Sequence, residues 1–460
     1  MRTKTALLTA SVAVLGLVAL PAASQTPVPF APPTSGQVLY RGATLIDGTG
    51  APPRAHMDVL VEGERIIDVF ADDPVKVAKA SDAKTVDVRG LYLMPGLIDS
   101  HVHLATPPNR RQAEAMLRRD LYGGVTTVRD MADDLRSVGE ITRASRVGEI
   151  AAPDIYYAAL MAGPDFFTDK RTLMTSAGGQ NGQVPWMQSV DTSTDVPIAV
   201  AMARGTYATA IKLYADMTPE VAAKMTAEAH RQHLKVWAHA TLYPAKPSEV
   251  VDAGVDAISH ACLLVREPSA HVPRFAEPRD HVNMDAFRAG DNPVLARLFA
   301  DMVKRGTILD ATVWTYGPPP PGPSSSPPLT PGGCDDDVGG AITGQAYRSG
   351  VAISAGTDSV AQWDDPWPDL FHELTALHDK AHMPVSAILT SATLIGARAA
   401  GQERDMGSIA PGKLANMIVL AKNPLDSLDN LKSVVFTVKR GVTFKRSDFV
   451  PLVEADITDY

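Results

Sequence analysis

The chain has 460 residues, 45% of them hydrophobic and 21% charged, with a formal net charge of −9. That balance belongs to a soluble folded protein, and with no long basic run it excludes a nucleic-acid binder. Two cysteines, Cys262 and Cys334, are too few for a disulfide-stapled fold, and the length allows one large barrel plus an extra module, or two to three ordinary domains.

Arg2 and Lys4 precede an apolar stretch at 6–20, and Ala22, Ala23 and Ser24 offer small residues before Gln25. This is the pattern of a cleaved secretory leader over 1–24, and the apolar run is short for a span of ~20 residues. The mature chain is therefore expected in the periplasm or outside the cell, free of the membrane. An exported protein could join Cys262 to Cys334, and the sequence leaves that pairing open.

After a Pro-rich spacer, residues 37–90 hold short alternating segments around Val38, Ala43, Asp58, Arg65 and Thr85, separated by Gly turns. Matching segments recur near Met417, Ser433 and Gly441 within 403–447. Strands at both ends predict a small β-sandwich closed by the two terminal segments. Between them, over 91–402, apolar strands alternate with amphipathic helices. The strands are predicted at 92–103, 125–130, 154–160, 210–214, 235–239, 257–260, 308–313 and 352–357. A helix is predicted at 219–232, with Thr218 as its N-cap. Eight such units predict an α/β fold, a (β/α)8 TIM barrel. Two insertions, 162–196 and 316–340, leave from strand C-terminal ends, where active-site loops belong. Either could be a lid, and the second equally a surface loop.

Polar residues collect at those same strand ends. The first strand closes on His101-Val-His103, and alternate side chains of a strand share a face. The fourth carries Lys212 and, two residues on, Tyr214. The fifth ends at His239, the sixth at His260, and the eighth at Asp358. Imidazoles and a carboxylate brought to one rim make a divalent-metal site, with Zn the default for so many histidines. Other polar residues carry less. Arg129 and Asp130 read as a structural pair, and His372 and Glu373 as a solvated helix face.

In this order the residues, with the closing stretch from Gly407 through Asn416 to Leu420, resemble the amidohydrolase superfamily, in its imidazolonepropionase-like and prolidase-like branch. One position departs: Asn416 stands where the family has Asp. The resemblance implies one or two divalent ions, with His101, His103 and Asp358 on the more buried one and His239 and His260 on the other. It implies Lys212 as an N-carboxylated bridge; the alternative is a lysine paired with Asp358 beside a single metal. Asp358 would move the proton of a metal-bound hydroxide, with His260 at the exposed ion and Tyr214 as a substrate or oxyanion contact. Leu242 stands where one-metal deaminases of the superfamily carry Glu.

The implied activity is hydrolysis of an amide C–N bond in a small molecule such as a dipeptide or an N-acyl amino acid. The alternatives are a cyclic amide or lactone hydrolase, a one-metal imidazolonepropionase-like enzyme, or a non-catalytic exported binding protein. The partner expected is a small-molecule substrate, and self-association stays open.

Overall fold

The computed structural model describes residues 36–318, 333–360 and 365–451. The leader and the spacer lie outside the described residues, as does the Pro- and Ser-rich stretch 319–332 of the second insertion. Among the described residues no helix is long and apolar enough to cross a membrane.

Eight parallel strands follow one another around the barrel: Leu97–His103, Val125–Asp130, Asp154–Ala162, Ala210–Leu213, Lys235–His239, Ala257–Ser259, Ile308–Asp310 and Ile353–Ser354. The last meets the first through Ser100 N donating to Ala355 O at 2.8 Å and Asp358 N to His101 O at 2.9 Å. A short strand, Ser359–Val360, then runs parallel to Val102 and His103. The predicted TIM barrel is therefore present. Trp237 fills its interior among Ala158, Ala210 and Ala257, a large side chain accommodated by small neighbours. Its Nε1 donates to Ala399 O at 3.0 Å, so the one polar atom of the ring is satisfied.

Outer helices form where the sequence supplies caps and a buried stripe. Pro219–Arg231 starts on Thr218, whose hydroxyl accepts from Val221 N at 3.4 Å. It buries Val221, Ala222, Met225, Thr226 and Ala229, the spacing of one helical face.

Strands from the two chain ends form a second, mixed sheet. Gln37–Leu45 is its branch point. One edge pairs antiparallel with Arg54–Glu62; the other pairs in parallel with Lys84–Asp87 and then with Tyr92–Pro95. The segments predicted around Val38 and Ala43 are this single strand, with a register shift between Tyr40 and Ala43. Met417–Leu420 continues the sheet beside Tyr92–Pro95, followed by Val434–Lys439 and Val442–Lys445. Its core joins Tyr40, Val59 and Ile66 from the first end to Met417, Val419 and Val438 from the second.

The run 92–103, predicted as one strand, serves both sheets. Tyr92–Pro95 belongs to the terminal sheet and Leu97–His103 to the barrel. The switch falls at Gly96, whose N donates to Asn416 O while Leu97 N donates to Gly124 O. A Cβ on Gly96 would lie 2.2 Å from the Thr126 side chain, so only glycine lets the backbone cross there. Strands six and seven end earlier than predicted, at Ser259 and Asp310. His260 and Thr312 beyond them sit at φ 75° and 48°, which breaks the ladder.

Candidate metal centre

All the ligand-type side chains predicted at the strand ends converge on the C-terminal mouth of the barrel. His101, His260 and Asp358 each offer a donor atom within 4.8 Å of the others. The His101 ring lies 5.6 Å from that of His103 and 4.9 Å from that of His260. His260 is in turn 4.7 Å from His239. Asp358 stands at φ 55°, a left-handed backbone costly for a residue with a side chain. Its N–H bond to His101 O fixes it there. Gly356 lets the chain pass close beneath, since a Cβ would lie 2.3 Å from Asp310 Oδ1 and 2.7 Å from His101 Cβ.

The ring nitrogens facing away from the cluster are engaged. His101 Nδ1 lies 2.7 Å from Asp310 Oδ2, and His103 Nδ1 2.8 Å from Asp133 Oδ1. An ionised carboxylate only accepts, so both Nδ1 atoms carry a proton, and Nε2 is the nitrogen that presents a lone pair when the ring is neutral. Those Nε2 atoms lie 3.2 and 3.4 Å from Asp358 Oδ1. His260 Nδ1 meets Thr312 Oγ1 at 2.9 Å. Acceptors turned toward one another in a buried place call for a proton or a metal cation between them, and the donor set suits a divalent ion.

Charges follow from these surroundings. Burial opposes a charge on His103, but Asp133 and Asp358 outweigh it and hold its pKa well above the usual value. Burial would raise Asp358; His101 and His260 outweigh it and hold the carboxyl well below. His239 is pushed well below its usual value by burial and by Lys212, and burial takes His260 down to about 3. Lys212 is fully buried, and that burial lowers it to about 7. Its Nζ donates to Ser259 Oγ at 3.1 Å and forms no ion pair with Asp358.

Several residues here carry roles the sequence did not disclose. Asp310, at the end of strand seven, receives His101, Ser259 Oγ at 2.9 Å and Arg129 at 3.0 Å. Arg129 and Asp130 are both buried, but they do not form the expected pair. Neighbours on a strand point to opposite faces, so Arg129 turns inward to Asp310 while Asp130 accepts from Leu104 N and Ala132 N. Glu373 is fully buried rather than solvated; its carboxylate accepts from Trp314 N at 2.8 Å. His372 is part-exposed and stacks on Trp314 with ring centroids 5.3 Å apart. Leu242 is fully buried. Cys262 and Cys334 form a disulfide, which ties the turn after His260 to the far side of the second insertion.

A cavity of about 420 Å³ opens above the histidines. The first insertion is an ordered cap: its turn Pro164–Thr168 and helix Lys170–Thr175 contribute Phe166, Arg171 and Met174 to the wall. Tyr214 lines it too, its ring 3.9 Å from His239 and its hydroxyl 3.5 Å from Arg171 Nη2. Tyr316, at the start of the second insertion, lines it as well.

The amidohydrolase family model matches residues 343–444, which take in Asp358 and the C-terminal strands. Over that stretch, and there alone, the chain is similar to the amidohydrolase family. Over 71 residues, 15% of the chain, it is 44% identical to an N-acyl-D-aspartate deacylase of Alcaligenes xylosoxydans xylosoxydans, and it spans only 13% of that relative's length. Its fold is that of a solved Xaa-Pro dipeptidase with methionine bound in the active site: TM-score 0.67, 20% identity, covering 89% of this chain and 100% of that one. An ochratoxinase from A. niger fits as well, with TM-score 0.67 and 19% identity over 89% of this chain and 96% of the other. The departure at Asn416 lies far from the ligands. There the amide accepts from Arg440 N at 2.8 Å and donates to Asp154 at 3.4 Å, joining the terminal sheet to the barrel.

Proposed function

We propose that this chain is a metal-dependent hydrolase cleaving an amide bond in a small substrate. The observation that carries it is the set of lone pairs, His101 Nε2 and His103 Nε2, directed at one oxygen of Asp358 beneath an aromatic-lined cavity. His101, His103 and Asp358 would hold one ion. His239 and His260 would hold a second, with Lys212 between them and Zn the first candidate. When bound, such ions supply Lewis acidity toward water and the scissile carbonyl.

The chain's own groups divide the remaining work. Asp358 accepts the proton of the attacking water and returns it to the departing nitrogen. Asp310 and Asp133 keep His101 and His103 in the tautomer that presents Nε2. Tyr214, on the cavity wall beside His239, donates toward the oxygen where negative charge develops. Lys212, with its pKa near 7, is largely a neutral amine above that pH. Its Nζ can attack CO2, forming an N–C bond and releasing one proton, which leaves a carboxylate on a long stem. Labelled bicarbonate tests this step. A carbamate carbon signal should grow as pH rises through about 7 and be missing from Lys212→Ala.

The deacylase and dipeptidase named above support an N-acyl amino acid or a dipeptide as substrate class. Export is supported by the leader pattern and by the disulfide, a bond that persists in oxidising compartments. Metal analysis and a screen of dipeptides, N-acyl amino acids, cyclic amides and lactones on one sample test the reading. It expects two ions per chain and cleavage that Lys212→Ala abolishes. One ion with an active Lys212→Ala overturns the bridge. No cleavage, with Asp358→Asn changing nothing, returns the binding-protein alternative.

A further inference from the structure

Two arginines line the cavity, and they differ in what already holds them. Arg171 is bound by Asp169, which takes Nη2 at 2.8 Å and Nε at 3.2 Å. Arg279 forms no ion pair with any described residue. Its guanidinium lies 4.1 Å from the ring centroid of the buried Tyr243 and 5.9 Å from that of Phe275, and Nη1 donates to Tyr243 Oη at 3.3 Å. A stacked guanidinium keeps most of its five N–H donors at its edge. Arg279 is thus a charged fork held in place on an aromatic face, with no anion among the described residues to satisfy it.

An aromatic path leads from this arginine to the histidines. Phe275 packs 5.5 Å from Phe166, Phe166 lies 4.5 Å from Tyr214, and Tyr214 lies 3.9 Å from His239. A ligand with its reacting bond at the histidines and an anion at Arg279 would lay its middle against these rings. Apolar walls with one convergent charge are the general form of a selective small-molecule site.

We infer that Arg279 is a specificity-determining residue that binds a free carboxylate remote from the scissile bond, in substrates carrying an aromatic or large apolar group between the two. This rests on the hydrolase reading of the same cavity and adds which amides it takes. A paired acid and alcohol isolate the charge, so the test compares 4-(acetamidomethyl)benzoate with 4-(acetamidomethyl)benzyl alcohol, each with its ring between the scissile amide and the polar end, on Zn-loaded protein. The acid should be preferred in kcat/KM. Arg279→Met, at an exposed position, should fold normally and cut that preference about 10- to 100-fold, the worth of a charge-assisted fork, chiefly through KM. Arg279→Lys should restore part of it and Arg171→Met should change it least.

Equilibrium binding of 4-phenylbutyrate against 4-phenylbutanol, read by calorimetry on the same proteins, asks the same question without turnover. If nothing is hydrolysed but the acid binds better and Arg279→Met removes the difference, the hydrolase reading falls and the anion site stands. A carboxylate preference that survives Arg279→Met, or no preference in the parent protein, overturns the inference.

Discussion

The two halves of the barrel mouth are built on different principles. On the strand-one side, His101 and His103 each rest on a buried carboxylate, Asp310 and Asp133. On the strand-five and strand-six side, His260 rests on a neutral hydroxyl, Thr312, and His239 packs at a tilt against Tyr214. The same residue type therefore meets opposite fields: His103 is held well above its usual pKa and His239 well below. A carboxylate behind an imidazole raises its basicity and locks its orientation. One half is thus a rigid, anionic seat, and the other is a neutral one, adjacent to the cavity and its aromatic wall.

The heaviest blow to this arrangement is Asp358→Asn, because Asp358 faces both halves. Turnover should fall about 10²- to 10⁴-fold with folding intact, the range for losing a general base; steady-state kinetics and circular dichroism check it. Asp310→Ala should be the most damaging to stability. It strands buried Arg129 and removes the acceptor of His101 and Ser259, at a cost of about 3–5 kcal/mol, measurable as a lower urea midpoint. Asp133→Asn should weaken retention of one of two ions about 10- to 100-fold in a chelator titration. Thr312→Val should do least, a few-fold rise in Kd for the other ion. If Thr312→Val matched Asp133→Asn, the two halves would not differ as described.

Sequence and structure agree where chemistry is scarce. Histidines at 101, 103, 239 and 260 and a lysine inside an apolar strand stand out because each is rare in that setting. Asp310 and Asp133 did not stand out, because an aspartate at a strand end looks the same whether it caps a helix or holds an imidazole. Glu373 was misplaced for a related reason. Its helix face is decided by a backbone N–H at Trp314, brought near only by tertiary folding. Arg279 lies in a stretch without periodicity, and only the aromatic rings beneath it give its position meaning. The barrel itself was legible from alternation; the crossing at Gly96 was not, since an uninterrupted apolar run conceals a change of sheet.

That crossing sets an order of events. Tyr92–Pro95, the root of the strand that carries His101 and His103, finds its neighbour in Met417–Leu420, close to the far end of the described chain. Contacts this remote in sequence form late and slowly. The strand that carries His101 and His103 can pair early with Val125–Asp130 and, at its root, with Gln37–Leu45, but its remaining edges wait for Ala355, Asp358 and Met417–Leu420 late in the polypeptide. The ion seat should therefore be among the last parts of the molecule to become rigid.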